Sequence, residues 1–284
     1  GTGLDTLTAA CTERQNNMTP SMLDQDAALV LGSPRFADSR FSQLAASAGP
    51  LAAWTAAFAA QGTAALADVS GSFAVGLRQA DGRTLLAVDR FAVHSLCYRL
   101  DQGRLRFAAR ADELADAGTE IDPQAIFDYL YFHVIPSPRT IYKGIFRLPP
   151  GHYALFEQGK LSVAPYWTAT FTEPPSASFP ALKDEFQSLL KDAVASQLDG
   201  GKPACFLSGG TDSSTIAGMV SRASGKTAAT YSIGFEAQGY DEMEFARLAA
   251  KHFKTEHHEY YVTPDDLVRS IPQVAAHYDQ PFGN

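Results

Sequence analysis

The chain has little of what would tie it to nucleic acid, to a membrane or to an oxidising compartment. Its 23 lysines and arginines are outnumbered by 31 aspartates and glutamates, the net charge is −8, and no basic run occurs. That argues against binding to nucleic acid or to an anionic membrane surface. No apolar stretch reaches the roughly 18 residues of a membrane span, and no signal peptide is visible. Cysteine is scarce: Cys11, Cys97 and Cys205 stand far apart, without metal-site spacing, and a reducing, cytoplasmic location is expected. The Gly-Lys-Ser/Thr ending of a Walker loop is missing as well, which excludes a cradle for the γ-phosphate of a P-loop ATPase. What remains is 284 residues, 45% hydrophobic and 19% charged, enough for two soluble domains with ordinary cores.

The most informative segment present is Ser208-Gly209-Gly210-Thr211-Asp212-Ser213-Ser214, directly behind the apolar run Ala204-Cys205-Phe206-Leu207. A buried strand that breaks at two glycines and reopens as a helix presents several free N–H groups to an anion. The glycines let the main chain approach a diphosphate, the helix dipole favours negative charge there, and Ser208, Ser213 and Ser214 carry hydroxyl donors. Asp212 would repel phosphates unless Mg²⁺ bridges the two, an arrangement magnesium favours. The nucleotide-binding set read here is therefore Leu207, Ser208, Gly209, Gly210, Asp212, Ser213 and Ser214, with ATP and Mg²⁺ as cofactors. The plainer reading is a helix start capped by Ser and Asp after a glycine turn.

Around this segment the chain changes character. Residues 43 to 67 have helical spacing about Trp54 and Phe58. Two hairpins follow, Ser72–Arg78 with Thr84–Val88 around Asp81-Gly82, and Ser95–Arg99 with Leu105–Ala108 around Gln102-Gly103; a further strand is read at Tyr153–Phe156. This half reads as antiparallel sheet plus helix. Residues 172 to 180 have the proline and serine density of a linker. Beyond them an amphipathic helix from Phe179 is followed by strand 204–207, helix 212–224, strand 228–235, helix 241–253, strand 256–262 and helix 264–277, an alternation that means a parallel sheet. Ligands of such sheets bind beyond the carboxyl ends of the strands, where the glycine pair lies.

The cradle, with Ser232-Ile233-Gly234-Phe235, Tyr240-Asp241-Glu242, Thr255-Glu256-His257-His258 and Asp279-Gln280-Pro281, resembles the synthetase domain of the asparagine synthetase superfamily. Gly71-Ser72-Phe73-Ala74, Asp89-Arg90-Phe91, Thr140–Ile145, Leu148-Pro149-Pro150-Gly151-His152 and Tyr166-Trp167 resemble the class II glutamine amidotransferase domain that precedes it. The resemblance implies an α+β, Ntn-like antiparallel-sheet domain over residues 1–171, a linker at 172–180, and an α/β parallel-sheet PP-loop domain (adenine nucleotide alpha hydrolase-like) over 181–284, truncated. It implies a carboxylate attacking the α-phosphate of ATP, with pyrophosphate leaving and an amine then forming an amide. It adds Ser232, Ile233 and Gly234 as the segment that contacts adenine, and Asp279 as a second Mg²⁺ ligand beside Asp212.

The departures bear on function. Class II amidotransferases use an N-terminal cysteine whose own amine is the base; Gly1 is not that residue, and Cys11 lacks the glycine that follows the family's nucleophile. The Arg-Gly-Pro-Asp and Asn-Gly-Glu segments that hold glutamine are also missing; Arg14–Asn17 and the Phe41 region stand near their places. An inactive glutaminase is expected, with the amine supplied by the substrate. Lasso-peptide macrolactam synthetases work this way, which would make a precursor peptide the partner; β-lactam synthetases, a glutamine-hydrolysing asparagine synthetase and a non-enzymatic peptide-binding scaffold are the alternatives. His94 and His152 are read as packing or hydrogen-bonding residues. The catalytic lysine and acidic or tyrosine groups are expected beyond Asn284, in a missing C-terminal part, and a homodimer partner is the other association weighed.

Overall fold

The computed structural model describes residues 28–173, 177–198, 200–235 and 242–281. They form two compact units, one reaching to Thr170 and taking up the chain again from Tyr278, the other spanning Phe171–His277. The return at Tyr278 has no counterpart in the local sequence pattern.

Among the described residues of the first unit, β1 (Ala28–Gly32) and β2 (Arg35–Phe36) precede α1 (Ser39–Ala48) and α2 (Pro50–Gln61), and these helices take up most of the stretch with helical spacing ahead of the hairpins. β3 (Val69–Ser70), β4 (Phe73–Arg78), β5 (Thr84–Val88), β6 (Cys97–Asp101) and β7 (Arg104–Ala108) follow, then α3 (Pro123–Phe132), β8 (Phe146–Arg147), β9 (His152–Glu157) and β10 (Lys160–Pro165). Both expected hairpins form, pairing β4 with β5 and β6 with β7. The main sheet is antiparallel in the order β1-β4-β5-β9-β10, with smaller sheets β2-β3 and β7-β6-β8.

Strand alternation explains why this sheet is covered on both faces. Phe73, Val75, Leu77, Leu85 and Ala87 join the cluster around Trp54 and Phe58 of α2, while Ala74, Leu86 and Val88 join Leu96, Tyr98, Leu105 and Phe107 on the other side. Successive side chains point to opposite faces, so every position of β5 finds a core. Gly76 is glycine for a visible reason: a Cβ there would sit 2.4 Å from the Phe107 ring. Asp89 is buried and accepts from the N–H groups of Phe73, Phe91 and Val93, and the Tyr166 hydroxyl donates to Val88 O. Burial, with Asp89 nearby, pushes Tyr166 up to about 12. His94 packs its ring over Gly32, and His152 bonds Pro150 O at 2.8 Å, so both serve as local structure.

The second unit alternates as expected: α4 (Phe179–Ala195), β11 (Ala204–Phe206), α5 (Thr211–Ser224), β12 (Ala229–Phe235), α6 (Met243–Phe253), β13 (Glu256–Val262) and α7 (Pro264–His277). The three strands pair in parallel in the order β11-β12-β13. Leu207, Ala217, Met243, Ala246 and Ala250 make its largest buried cluster, and Val194 of α4 packs with Met219, Val220 and Ala228. α4 begins within the stretch that reads as linker, with Ser178 as its N-cap and Pro180 in its first turn, because proline is as acceptable in a first helical turn as in a linker.

Candidate nucleotide-binding site

The expected cradle forms where the sheet topology puts it, between the end of β11 and the start of α5. The Leu207 N–H donates to Tyr231 O at 2.9 Å, the last backbone bond before the chain leaves the sheet. Gly209 then adopts a φ of +88°, a conformation that penalises any Cβ. A Cβ there would also lie 2.7 Å from both Ala246 N and Phe245 Cβ, so the loop rests against the first turn of α6. Gly210 caps α5 without any side-chain hydrogen bond. The N–H groups of Thr211, Asp212 and Ser213 have no acceptor among the described residues, and these are the donors a helix start leaves open to an anion.

The hydroxyls differ from expectation. Ser213 Oγ accepts from Ser208 N–H at 3.1 Å, lies 3.0 Å from Ser208 Oγ and donates to Gly210 O at 3.3 Å. Ser208 Oγ also accepts from Gly210 N–H at 3.4 Å. Two of the amides expected to face a ligand are thus met by serines, which hold the loop's own shape. Ser214 is half-buried, and no hydrogen bond ties its hydroxyl to a described residue. Asp212 is exposed in the first turn of α5, with no ion pair to a described residue.

Leu207 contributes through the main chain alone. Its side chain is in the core, its N–H is paired, and its carbonyl accepts a short hydrogen bond from Ser232 Oγ. Ser232 is buried, Gly234 lies under Met243 and Tyr261, and Ile233 stands exposed between them. The two expected segments are joined by one bond, from Ser232 Oγ to Leu207 C=O, at the end of the β11–β12 pair.

Asp279 belongs to the first unit, where its carboxylate accepts from the Ala111 N–H at 2.6 Å and from Arg147 Nη2 at 2.9 and 3.0 Å. The pair is largely buried, with Asp279 at 11% and Arg147 at 23% side-chain exposure. Arg147 also faces Cys97, whose thiol burial pushes up. A negative charge already matched by a guanidinium is not a free metal ligand. Of the other expected elements, Cys11, Arg14–Asn17, Tyr240 and Asp241 lie outside the described residues. Phe41 is a core residue packed on Phe36, and Cys97 and Cys205 are free thiols.

These residues fit a diphosphate: the helix start is uncapped, the approach to it is lined by glycine, and no Cβ could occupy position 209. They fit Mg²⁺ only in company with phosphate. No three His, Cys, Asp or Glu side chains among the described residues could hold a metal ion, and Asp212 alone supplies one carboxylate, the number magnesium takes when phosphate oxygens complete its shell.

Comparison with known proteins agrees with this geometry. A family model described as asparagine synthase matches residues 185–284, and one described as a glutamine amidotransferase domain matches residues 53–167. The chain belongs to the asparagine synthetase superfamily. It is 31% identical over 204 residues to a putative glutamine-hydrolysing asparagine synthetase of Methanocaldococcus jannaschii, covering 69% of this chain and 39% of that protein. It is 28% identical over 202 residues to asparagine synthetase 1 of Bacillus subtilis, covering 70% and 32%. To the carboxyethyl-arginine beta-lactam-synthase of Streptomyces clavuligerus it is 28% identical over 211 residues, covering 72% and 38%. The chain thus spans well under half the length of these relatives. No helix among the described residues is long and apolar enough to cross a membrane.

Proposed function

We propose that this chain is the amidotransferase-like and nucleotide-binding portion of an ATP-dependent carbon–nitrogen ligase. The observation that carries the reading is the uncapped start of α5, aimed by Gly209 and flanked by Asp212. In the reaction, a carboxylate oxygen of the substrate bonds to the α-phosphorus of ATP while the bond from that phosphorus to the bridging oxygen breaks, releasing pyrophosphate. An amine then bonds to the acyl carbon, AMP leaves with the C–O electrons, and the amine gives up a proton. Charge builds on the departing diphosphate, so fixed N–H donors at Thr211, Asp212 and Ser213 lower that barrier by electrostatic preorganisation. Mg²⁺ held by Asp212 would neutralise part of the same charge. Asp279 can serve as second ligand only by exchanging Arg147 for the ion.

The amine is proposed to belong to the acyl donor itself, as in closure of a macrolactam on a precursor peptide, with the amidotransferase-like unit inactive toward glutamine. A β-lactam-synthetase-like ring closure shares this logic and is supported by the likeness to the Streptomyces clavuligerus protein. Among the described residues the outer edge of β11 is unpaired, and Phe206 on that strand is 76% exposed. Parallel strands are ordinarily buried on both faces, so we propose that a further part of the synthetase covers Phe206 and its face of the sheet. The test is carboxylate-dependent exchange of labelled pyrophosphate into ATP by the full-length protein. Exchange with a peptide carboxylate, and no ammonia release from glutamine, is the expected result; ammonia release would replace this reading with a glutamine-hydrolysing one.

A further inference from the structure

The root of the cradle is a single peptide unit gripped at both ends, and the grip lies outside the loop that meets the ligand. Leu207 C=O and Ser208 N–H belong to the same planar amide. The carbonyl accepts from Ser232 Oγ on the neighbouring strand, and the amide donates to Ser213 Oγ in the first turn of α5. Leu207 is buried, so its carbonyl needs a protein donor where the β11–β12 ladder gives out. β12 supplies that donor from a side chain: Ser232 is a buried polar residue of its strand, flanked by Tyr231 and the exposed Ile233. An amide plane fixed at both edges cannot rotate, and its orientation sets the direction in which Gly209 and Gly210 leave the sheet. The downstream side is fixed too, since Gly209 touches Phe245 and Ala246.

We propose that Ser232 is a positioning residue. Its hydroxyl holds the Leu207–Ser208 peptide so that the open amides of Thr211, Asp212 and Ser213 converge on the diphosphate of a bound nucleotide, and it makes no contact with the nucleotide itself. This rests on the nucleotide-binding reading above and gives Ser232 a different part from an adenine contact. Without the hydroxyl, the buried carbonyl is left unpaired. The peptide can find a new partner by turning, which swings Ser208 N–H off Ser213 and disperses the amides beyond it.

The test has two readouts on the same full chain: backbone amide hydrogen exchange without ligand, and calorimetric titration with Mg-ATP. Ser232→Ala is expected to speed exchange at the hydrogen-bonded Ser208 and Gly210 amides at least tenfold while leaving the β12 and β13 amides protected. It is also expected to weaken Mg-ATP binding about tenfold, the equivalent of 1.4 kcal/mol. Ser232→Thr, which keeps the hydroxyl, should restore both; Ser232→Cys, a weaker donor of similar volume, should fall between and serves if the alanine variant does not fold. Because Ser213 grips the same peptide, Ser213→Ala with Ser232→Ala should lose less than the product of the two single losses. Unchanged exchange and unchanged affinity in Ser232→Ala, with wild type binding Mg-ATP, would overturn the proposal and leave the nucleotide-binding reading standing. Absence of binding by wild type would sink that reading; altered loop exchange in Ser232→Ala would then still establish the peptide grip.

Discussion

The two units use their hydrophobic residues in opposite ways. In the first, both faces of the main sheet are covered, and Trp54, Phe58, Phe73, Leu85 and Leu86 are at most 2% exposed. In the second, small buried clusters hold the strands to their helices while other large apolar residues are left uncovered. α7 places Leu267, Val268, Ile271 and Val274 at helical spacing without burying any residue. Phe186 and Leu189 of α4 and Phe206 beside the cradle are likewise exposed. The main sheet of the first unit is closed, although α3 leaves Phe127, Leu130 and Tyr131 exposed, and Asp89 is absorbed in holding a turn. The second keeps its loops and faces available. The difference teaches where to look for chemistry: an antiparallel sheet with both faces filled is a scaffold, whereas an open parallel sheet with an uncapped helix start at its carboxyl end has surfaces left to use.

Five substitutions would break or sharpen this contrast, beginning with the largest effect and its control. Trp54→Ala removes the centre of a closed core and should cost about 3–5 kcal/mol in the first unit's unfolding transition, read by urea denaturation. Val268→Ser on α7 should cost under about 0.5 kcal/mol and lower binding of a hydrophobic dye. Equal losses at both positions would erase the distinction between the units.

Asp279→Asn comes next. It leaves Arg147 charged and largely buried, so the first unit should lose roughly 2–3 kcal/mol, between the costs of breaking an exposed and a buried pair. If Asp279 instead acts as a metal ligand, thermal stability stays the same and the Mg²⁺ concentration needed for nucleotide binding rises. Gly209→Ala follows on the cradle. Its positive φ and its contact with Phe245 and Ala246 predict about a hundredfold loss of Mg-ATP affinity, or about 2.7 kcal/mol, with the first unit's transition unmoved.

The smallest effect is one of pH. His257 is held below its ordinary value of 6.5, chiefly by burial, with Arg247 and His258 adding to the effect and Glu259 opposing it. Thr230 Oγ1 bonds its Nδ1 at 3.0 Å, while Nε2 is buried without a hydrogen bond and lies 3.5 Å from Glu259 Oε1. A depressed folded pKa means the unfolded chain takes up the proton first. This contribution is therefore complete above about pH 6.5 and is lost as pH falls through the folded value. His257→Asn should flatten the second unit's stability between pH 7 and 5 in thermal melts; an unchanged slope would assign it to other groups.

Much of the second unit was legible because strand, turn and helix alternate with local signals at each junction. The glycine pair marked the loop proposed to bind the nucleotide. The β4–β5 hairpin was legible from Asp81-Gly82. β1 was missed because Ala28–Gly32 is a short apolar run without alternation, and β10 because Lys160–Pro165 is a largely exposed edge strand that ends in proline. α3 carried a usable signal, an Asp122 cap with Pro123 in the first turn. The roles of Ser232 and Asp279 could not be read locally. Ser232 serves a carbonyl 25 positions away and Asp279 an arginine 132 positions away, and spacing rules of helices and strands do not reach that far. For the Ser213 hydroxyl the limit is related: sequence shows that a hydroxyl is present at a helix start but not whether the loop or a ligand uses it.

The central claim is that the start of α5 grips a diphosphate through its own amides and a magnesium ion that Asp212 holds only alongside phosphate. Calorimetric titration tests it most directly. Mg-ATP should give a saturable heat with the wild-type chain, Mg²⁺ alone should give none, and Asp212→Ala should abolish the Mg-dependent part while leaving the fold intact by circular dichroism. Identical titrations of wild type and Asp212→Ala, or saturable binding of Mg²⁺ alone, would contradict the account.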